Sequence, residues 1–207
     1  MRSSVLLVGI ATLALAACSP SITNGTPTPT DGGSSLAPSR SSPRQPGPDV
    51  PQVASPLALT QVKQAPCNAL TEEQAGELLG PRAVPKERLD GTAGPSCMWS
   101  IPSSSRPLVD VIFGRSPDGG TASVYNAKGG AYKLVEPLAP VDGYPLTAYG
   151  TTDERPSGKC SVALGASDTE TIGIVTELSE ANIGKKDPCG AAREAAIRVL
   201  ATVRGGN

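Results

Sequence analysis

Beyond about residue 65, apolar side chains recur at two different periods. Thr71-Glu72-Glu73-Gln74 reads as a capping box, a hydroxyl at the cap and an amide three residues on. Ala75, Leu78 and Leu79 then supply the buried side of a short helix, which Gly80-Pro81 ends. After a loop through Asp90-Gly91, the period shortens to two. Ser96–Ile101 sets Cys97, Trp99 and Ile101 on one face, and Leu108–Phe113 does the same with Val109, Val111 and Phe113.

A weak helix is expected from Gly120 to Lys128, and strands over Ala131–Glu136 and Tyr144–Tyr149. Lys159–Gly165 and Glu170–Leu178 form the clearest strand pair, a hairpin joined by Ala166-Ser167-Asp168-Thr169. In the last element Asp187 caps and Pro188 takes the first helical position. Ala192, Ala196, Val199 and Val203 follow at helical spacing, Glu194 and Arg198 form an i,i+4 pair, and Gly205 stops the helix. The expected fold is α+β: a mostly antiparallel sheet with a short N-terminal helix and a longer C-terminal helix packed on it.

The first 64 residues follow neither period. Met1-Arg2 is a short positive start, and Val5 to Ala17 is an uncharged, largely apolar run. These are the parts of an export signal over residues 1–17. A run of about 13 residues rises only about 20 Å as a helix, short of the roughly 30 Å hydrocarbon core, which disfavours a permanent span. Leu15-Ala16-Ala17-Cys18 matches the lipobox of bacterial lipoproteins at each position. That resemblance implies a diacylglyceryl thioether on Cys18 and cleavage just before it. The partner it implies is a membrane, held on its outer face through acyl chains that contribute about 0.8 kcal/mol per buried CH₂.

From Cys18 to residue 64, Ser, Thr, Pro and Gly dominate, as in Thr26-Pro27-Thr28-Pro29-Thr30. Such a composition buries too little apolar surface to offset its ordering entropy, so a disordered tether is expected over residues 18–64 and a globular domain over residues 65–207. As a coil the tether spans roughly 35–40 Å, and as extended polyproline about 140 Å, reaching into the cell wall or a periplasm-like space.

Charge and composition narrow the function classes. Residues 65–207 carry 14 basic against 17 acidic side chains, a net of −3, with no basic stripe, so nucleic acid is not an expected partner. The chain has no histidine, which removes the commonest general base and the commonest metal ligand together. No cofactor or metal is expected.

With Cys18 committed to lipid, Cys67, Cys97, Cys160 and Cys189 remain. An even number in an exported domain reads as two disulfides, with three possible connectivities. Cys67–Cys97 with Cys160–Cys189 is favoured, because each bond staples a helix start to a neighbouring strand. A zinc site built from all four is the alternative, but no two of them are spaced as a chelating knuckle.

Several short segments follow one another in a set order along the chain. They are Cys67-Asn68-Ala69-Leu70-Thr71 before a helix ending Leu78-Leu79-Gly80, then Cys97-Met98-Trp99. Val141-Asp142-Gly143-Tyr144-Pro145, Cys160-Ser161-Val162 and Asp187-Pro188-Cys189 follow. In this set the chain resembles the actinobacterial lipoproteins grouped under a domain of unknown function, over most of residues 66–204. The resemblance implies an envelope lipoprotein with a small α+β domain and no catalytic residues to carry over. Gly143-Tyr144-Pro145 reads as a structural turn with a packed tyrosine in preference to a binding loop.

Catalytic patterns are missing. Ser-x-x-Lys and Gly-x-Ser-x-Gly do not occur, and Gly184-Lys185-Lys186 lacks the other parts of a phosphate loop, so it reads as a solvated turn. Paired carboxylates such as Asp153-Glu154 and Glu72-Glu73 are of the type that does acid–base work on a glycan, but adjacent acids are usually solvated surface. The leading expectation is a non-catalytic binding or interaction domain for a small molecule, lipid, glycan or protein. The alternatives are a carboxylate enzyme acting on envelope glycans and an accessory subunit that docks on a membrane complex.

Overall fold

The structure, a computed structural model, describes residues 49–205 apart from residue 103 and residues 116–118. All of these lie in one compact unit, residues 41–207. The segment expected as an export signal, Cys18 and most of the expected tether fall outside the described residues.

The strands are β1 (Val84–Arg88), β2 (Ser96–Ser100), β3 (Leu108–Phe113), β4 (Leu134–Val141), β5 (Tyr144–Gly150), β6 (Lys159–Ser167) and β7 (Glu170–Glu177). They form one seven-stranded sheet in the order β1-β2-β3-β7-β6-β5-β4, with every pairing antiparallel. The helices are α1 (Thr60–Gln64), α2 (Glu72–Leu79), α3 (Gly120–Asn126) and α4 (Pro188–Gly205). The α+β expectation, with α4 packed on an antiparallel sheet, is what the chain adopts.

Local chemistry explains most element ends. Thr71 and Gln74 close the capping box in both directions, the Thr71 hydroxyl accepting from the Gln74 N–H and the Gln74 side chain from the Thr71 N–H. The Asp187 carboxylate accepts from the N–H groups of Cys189 and Gly190, which satisfies the first turn of α4. Asp142 (φ 47°) and Gly143 (φ 85°) both take the left-handed conformation that a two-residue hairpin between β4 and β5 requires. Tyr144 follows as a buried residue, as expected of a structural turn.

The alternation read from the sequence marks the core face correctly. Trp99 faces with Val109 and Thr176; Cys97 with Val111, Ile174 and Val162; Phe113 with Ile172, Leu164 and Leu146. Ala192, Ala196, Val199 and Val203 of α4 are buried against this face. Cys67–Cys97 ties the 3-10 turn Pro66–Ala69 to β2, and Cys160–Cys189 ties β6 to the first turn of α4. The favoured connectivity is therefore the one present, and no zinc knuckle forms from these cysteines.

Six expectations need correction. The folded part begins earlier than residue 65: Val53, Leu57 and Leu59 are buried in the main core, and α1 follows them. The stretch expected as loop before Asp90-Gly91 contains β1, whose residues are all exposed, so it has no alternating face to read. β4 runs over Leu134–Val141 and not Ala131–Glu136, continuing through Pro137 and Pro140 because it is an edge strand with one free side. Ile101 lies one residue beyond β2, and α4 includes Gly205. β6 extends to Ser167, so the β6–β7 turn is the pair Asp168-Thr169. Both sheet edges, β1 with Pro85 and charged neighbours and β4 with its two prolines, are poor templates for another strand.

Candidate functional site

Two hollows are set by the sheet. The first lies at one end, where the start of β3, the end of β7, the end of α2 and the approach to α4 meet. Its volume is about 280 Å³. Leu78, Leu79, Leu108 and Leu178 supply apolar lining, and Ser179, Asn182 and Lys186 supply polar lining. Two further polar residues there are already engaged. The Thr176 hydroxyl donates to the Pro188 carbonyl at 3.1 Å, and Glu177 pairs with Arg106 at 3.3 Å. Lys186 lines the hollow from the exposed turn expected at Gly184-Lys185-Lys186.

The second hollow, about 190 Å³, lies on the face of the sheet opposite the main core. On that face Met98, Asp110, Val175, Ser161 and Tyr149 form one cross-strand row, and Ser96, Ile112, Gly173, Ala163 and Thr147 the next. α3 covers only part of this face. Tyr132 leans on Tyr149, ring centroids 5.0 Å apart and planes tilted by 56°.

Asp110 is the carboxylate in these rows. Burial pushes its carboxyl above the usual carboxylate range, against the lowering effect of its hydrogen bond and ion pair with Arg88. Its Oδ1 atom is buried without a hydrogen-bond partner among the described residues. A raised pKa means that the folded state holds this proton more tightly than the unfolded chain. The resulting stabilisation is fully present below the ordinary carboxylate pKa and is lost as pH rises through the raised value. Asp110→Asn removes the buried charge and keeps an acceptor for the half-exposed Arg88. It should therefore raise the melting temperature at about pH 7, with the gain fading towards about pH 3. A gain that is the same at both pH values would show that burial of the charge is not its source.

The carboxylate pairs sit elsewhere. Asp153 accepts from Arg155, which holds its pKa down, and Glu154 pairs with Lys159 at 3.2 Å. Glu72 and Glu73 are exposed in the first turn of α2, where the helix dipole favours them, and border a broad depression with Glu77, itself held by Arg198. Neither pair lines either of the two hollows. No group of three or more metal-ligating side chains occurs among the described residues.

A family model described as a protein of unknown function, DUF3558, matches residues 13–202. The chain belongs to that family. The DUF3558 match takes in the whole described fold up to the last turns of α4, and it begins ahead of Cys18. No curated protein and no solved structure matches the chain. Sequence reasoning singled out none of the residues lining the two hollows of this DUF3558 fold as binding groups. Each hollow is assembled from several elements far apart in the chain, and the only local signal was the exposed Lys186 turn.

Proposed function

We propose that this DUF3558 protein is a lipid-anchored binding module that holds a small amphipathic ligand in the hollow at the end of its sheet. The observation that carries the reading is that hollow: about 280 Å³, with leucine lining beside Ser179, Asn182 and Lys186. A site of this size and mixed lining suits a compact ligand with an apolar body and a polar or anionic end. The anchor rests on the lipobox Leu15–Cys18, and the DUF3558 match begins ahead of it at residue 13. The Ser/Thr/Pro/Gly-rich stretch after Cys18 then acts as the spacer between membrane and domain. No helix among the described residues is long and apolar enough to cross a membrane, so nothing in them replaces that anchor.

The reading is tested with full-length chains secreted from a bacterial host, wild type beside Cys18→Ser. The wild type should pellet with membranes and incorporate labelled palmitate, and Cys18→Ser should appear in the soluble fraction without label. Retention of Cys18→Ser on membranes would remove the lipid anchor from the reading. Native mass spectrometry of the soluble chain should show an added mass that denaturation removes, and Ser179→Trp, which fills the hollow, should abolish it. An added mass that survives Ser179→Trp, or none in the unsubstituted chain, would remove the binding function from this hollow.

A further inference from the structure

One short turn supplies the polar side of the end hollow. The Asn182 N–H donates to the Ser179 carbonyl at 2.8 Å, and the Lys186 N–H donates to the Asn182 carbonyl at 3.0 Å. These backbone bonds hold Ser179, Asn182 and Lys186 together, and all three line the hollow. Ser179 is the N-cap of the 3-10 turn Glu180–Asn182, yet its hydroxyl makes no capping bond. The side chains of Asn182 and Lys186 make no hydrogen bond or ion pair among the described residues. Glu177 is the other charged residue of the lining, and it is already held by Arg106 at 3.3 Å. Arg106 is fixed in turn by donating to the Ser157 carbonyl at 2.7 Å. The hollow therefore offers a ligand one uncompensated positive charge.

The apolar lining is aliphatic throughout. Leu78 and Leu79 come from the end of α2, Leu108 from the start of β3, and Leu178 follows β7. Leu78, Leu79 and Leu108 are only half-buried, so apolar surface stays open to an occupant. No aromatic side chain lines the hollow, so nothing in it stacks on a ring. Its volume of 280 Å³ equals about nine waters' share of liquid, room for a chain of about eight to ten heavy atoms. A cationic end would set like charges together at Lys186. A doubly charged phosphate would bring surplus negative charge beside Glu177. A carboxylate balances the single lysine and has lone pairs left for the hydroxyl and the amide.

We infer that the ligand of the end hollow is an aliphatic monocarboxylate of medium chain length, its carboxylate at Lys186 and its chain on the four leucines. The inference rests on the reading of that hollow as a binding site and adds the chemical class of what it holds.

The test is an NMR titration of the full-length Cys18→Ser chain with octanoate, and separately with octan-1-ol, octylammonium, octyl phosphate and 3-phenylpropionate. Octanoate should give saturable shifts at the Leu78, Leu79, Leu108 and Leu178 methyl groups and at the Ser179 and Asn182 amides. It should bind more tightly than each of the other four. Lys186→Gln should weaken octanoate at least fivefold and leave octan-1-ol unchanged, whereas Lys186→Arg should keep octanoate binding. A lysine that only shaped the turn would alter both probes together, and that result would overturn its role. Octan-1-ol or octylammonium binding as tightly as octanoate would overturn the anionic class while the hollow keeps its binding function. Tighter binding of octyl phosphate would overturn the carboxylate, and tighter binding of 3-phenylpropionate would overturn the aliphatic body. No shift with any probe would overturn the inference outright. An added mass in the native spectrum that Ser179→Trp abolishes would then still leave the hollow a binding site for another class, and its absence would remove both.

Discussion

Replacing Cys160 and Cys189 together with alanine should destabilise the domain by about 3–4 kcal/mol, a large share of the roughly 5–15 kcal/mol that holds a domain of this kind folded. The two cysteines are 29 residues apart, and the bond closes that loop in the unfolded chain. The chain-entropy model gives about 3.6 kcal/mol for a loop of that length. Both side chains are buried, so the alanines also leave small voids beside β6 and α4. Denaturant unfolding of the oxidised wild type and of the double variant measures the loss directly. The slope with denaturant should rise as well, because an unfolded chain without the cross-link exposes more surface. A loss below about 1 kcal/mol would show that the unfolded state is already compact around this loop.

Phe113→Ala should cost a similar amount, about 3–5 kcal/mol. The Phe113 side chain is fully buried at the end of β3, facing Ile172 across the strand pair. It is the one phenylalanine of the chain, and the only other large aromatic on that face of β2 and β3 is Trp99. A packed core relaxes only partly around such a deletion, so most of the cavity persists. Met98→Ala is the control: Met98 sits half-buried on the opposite face of the adjacent strand, and its loss should cost less than about 1.5 kcal/mol. Equal costs for the two would mean that the sheet face packed by α4 is not the dominant core.

The contrast between those two residues was legible in the sequence, because a strand half-covered by a helix advertises its buried side every second residue. Cys97, Trp99, Val109, Val111 and Phe113 are all on the side their alternation assigns. β1 was not legible for the complementary reason. Val84-Pro85-Lys86-Glu87-Arg88 is exposed at every position, and what holds it is hydrogen bonding to β2, which leaves no trace in hydropathy. The segment from Asp49 to Gln64 was hidden differently. Its composition continues that of residues 19–48, and only a few apolar side chains, Val53, Leu57 and Leu59 with Val62 packed beside them, commit it to the core. The two hollows lay beyond reach altogether. Ser179, Asn182 and Lys186 become informative only once α2 and β3 are brought beside them.

The order of strands across the sheet differs from their order along the chain in one consequential way. β7 and β6 occupy the middle, joining β3 on one side to β5 on the other, yet both follow the other five strands along the chain. A ribosome making this chain therefore delivers the two flanks of the sheet first and its keystone last. Until Lys159–Glu177 has emerged, β1–β3 and β4–β5 have no strand between them through which to join, and α4 has no completed surface to lie on. The sheet is thus withheld until β6 and β7 have been made, however early its flanks appear.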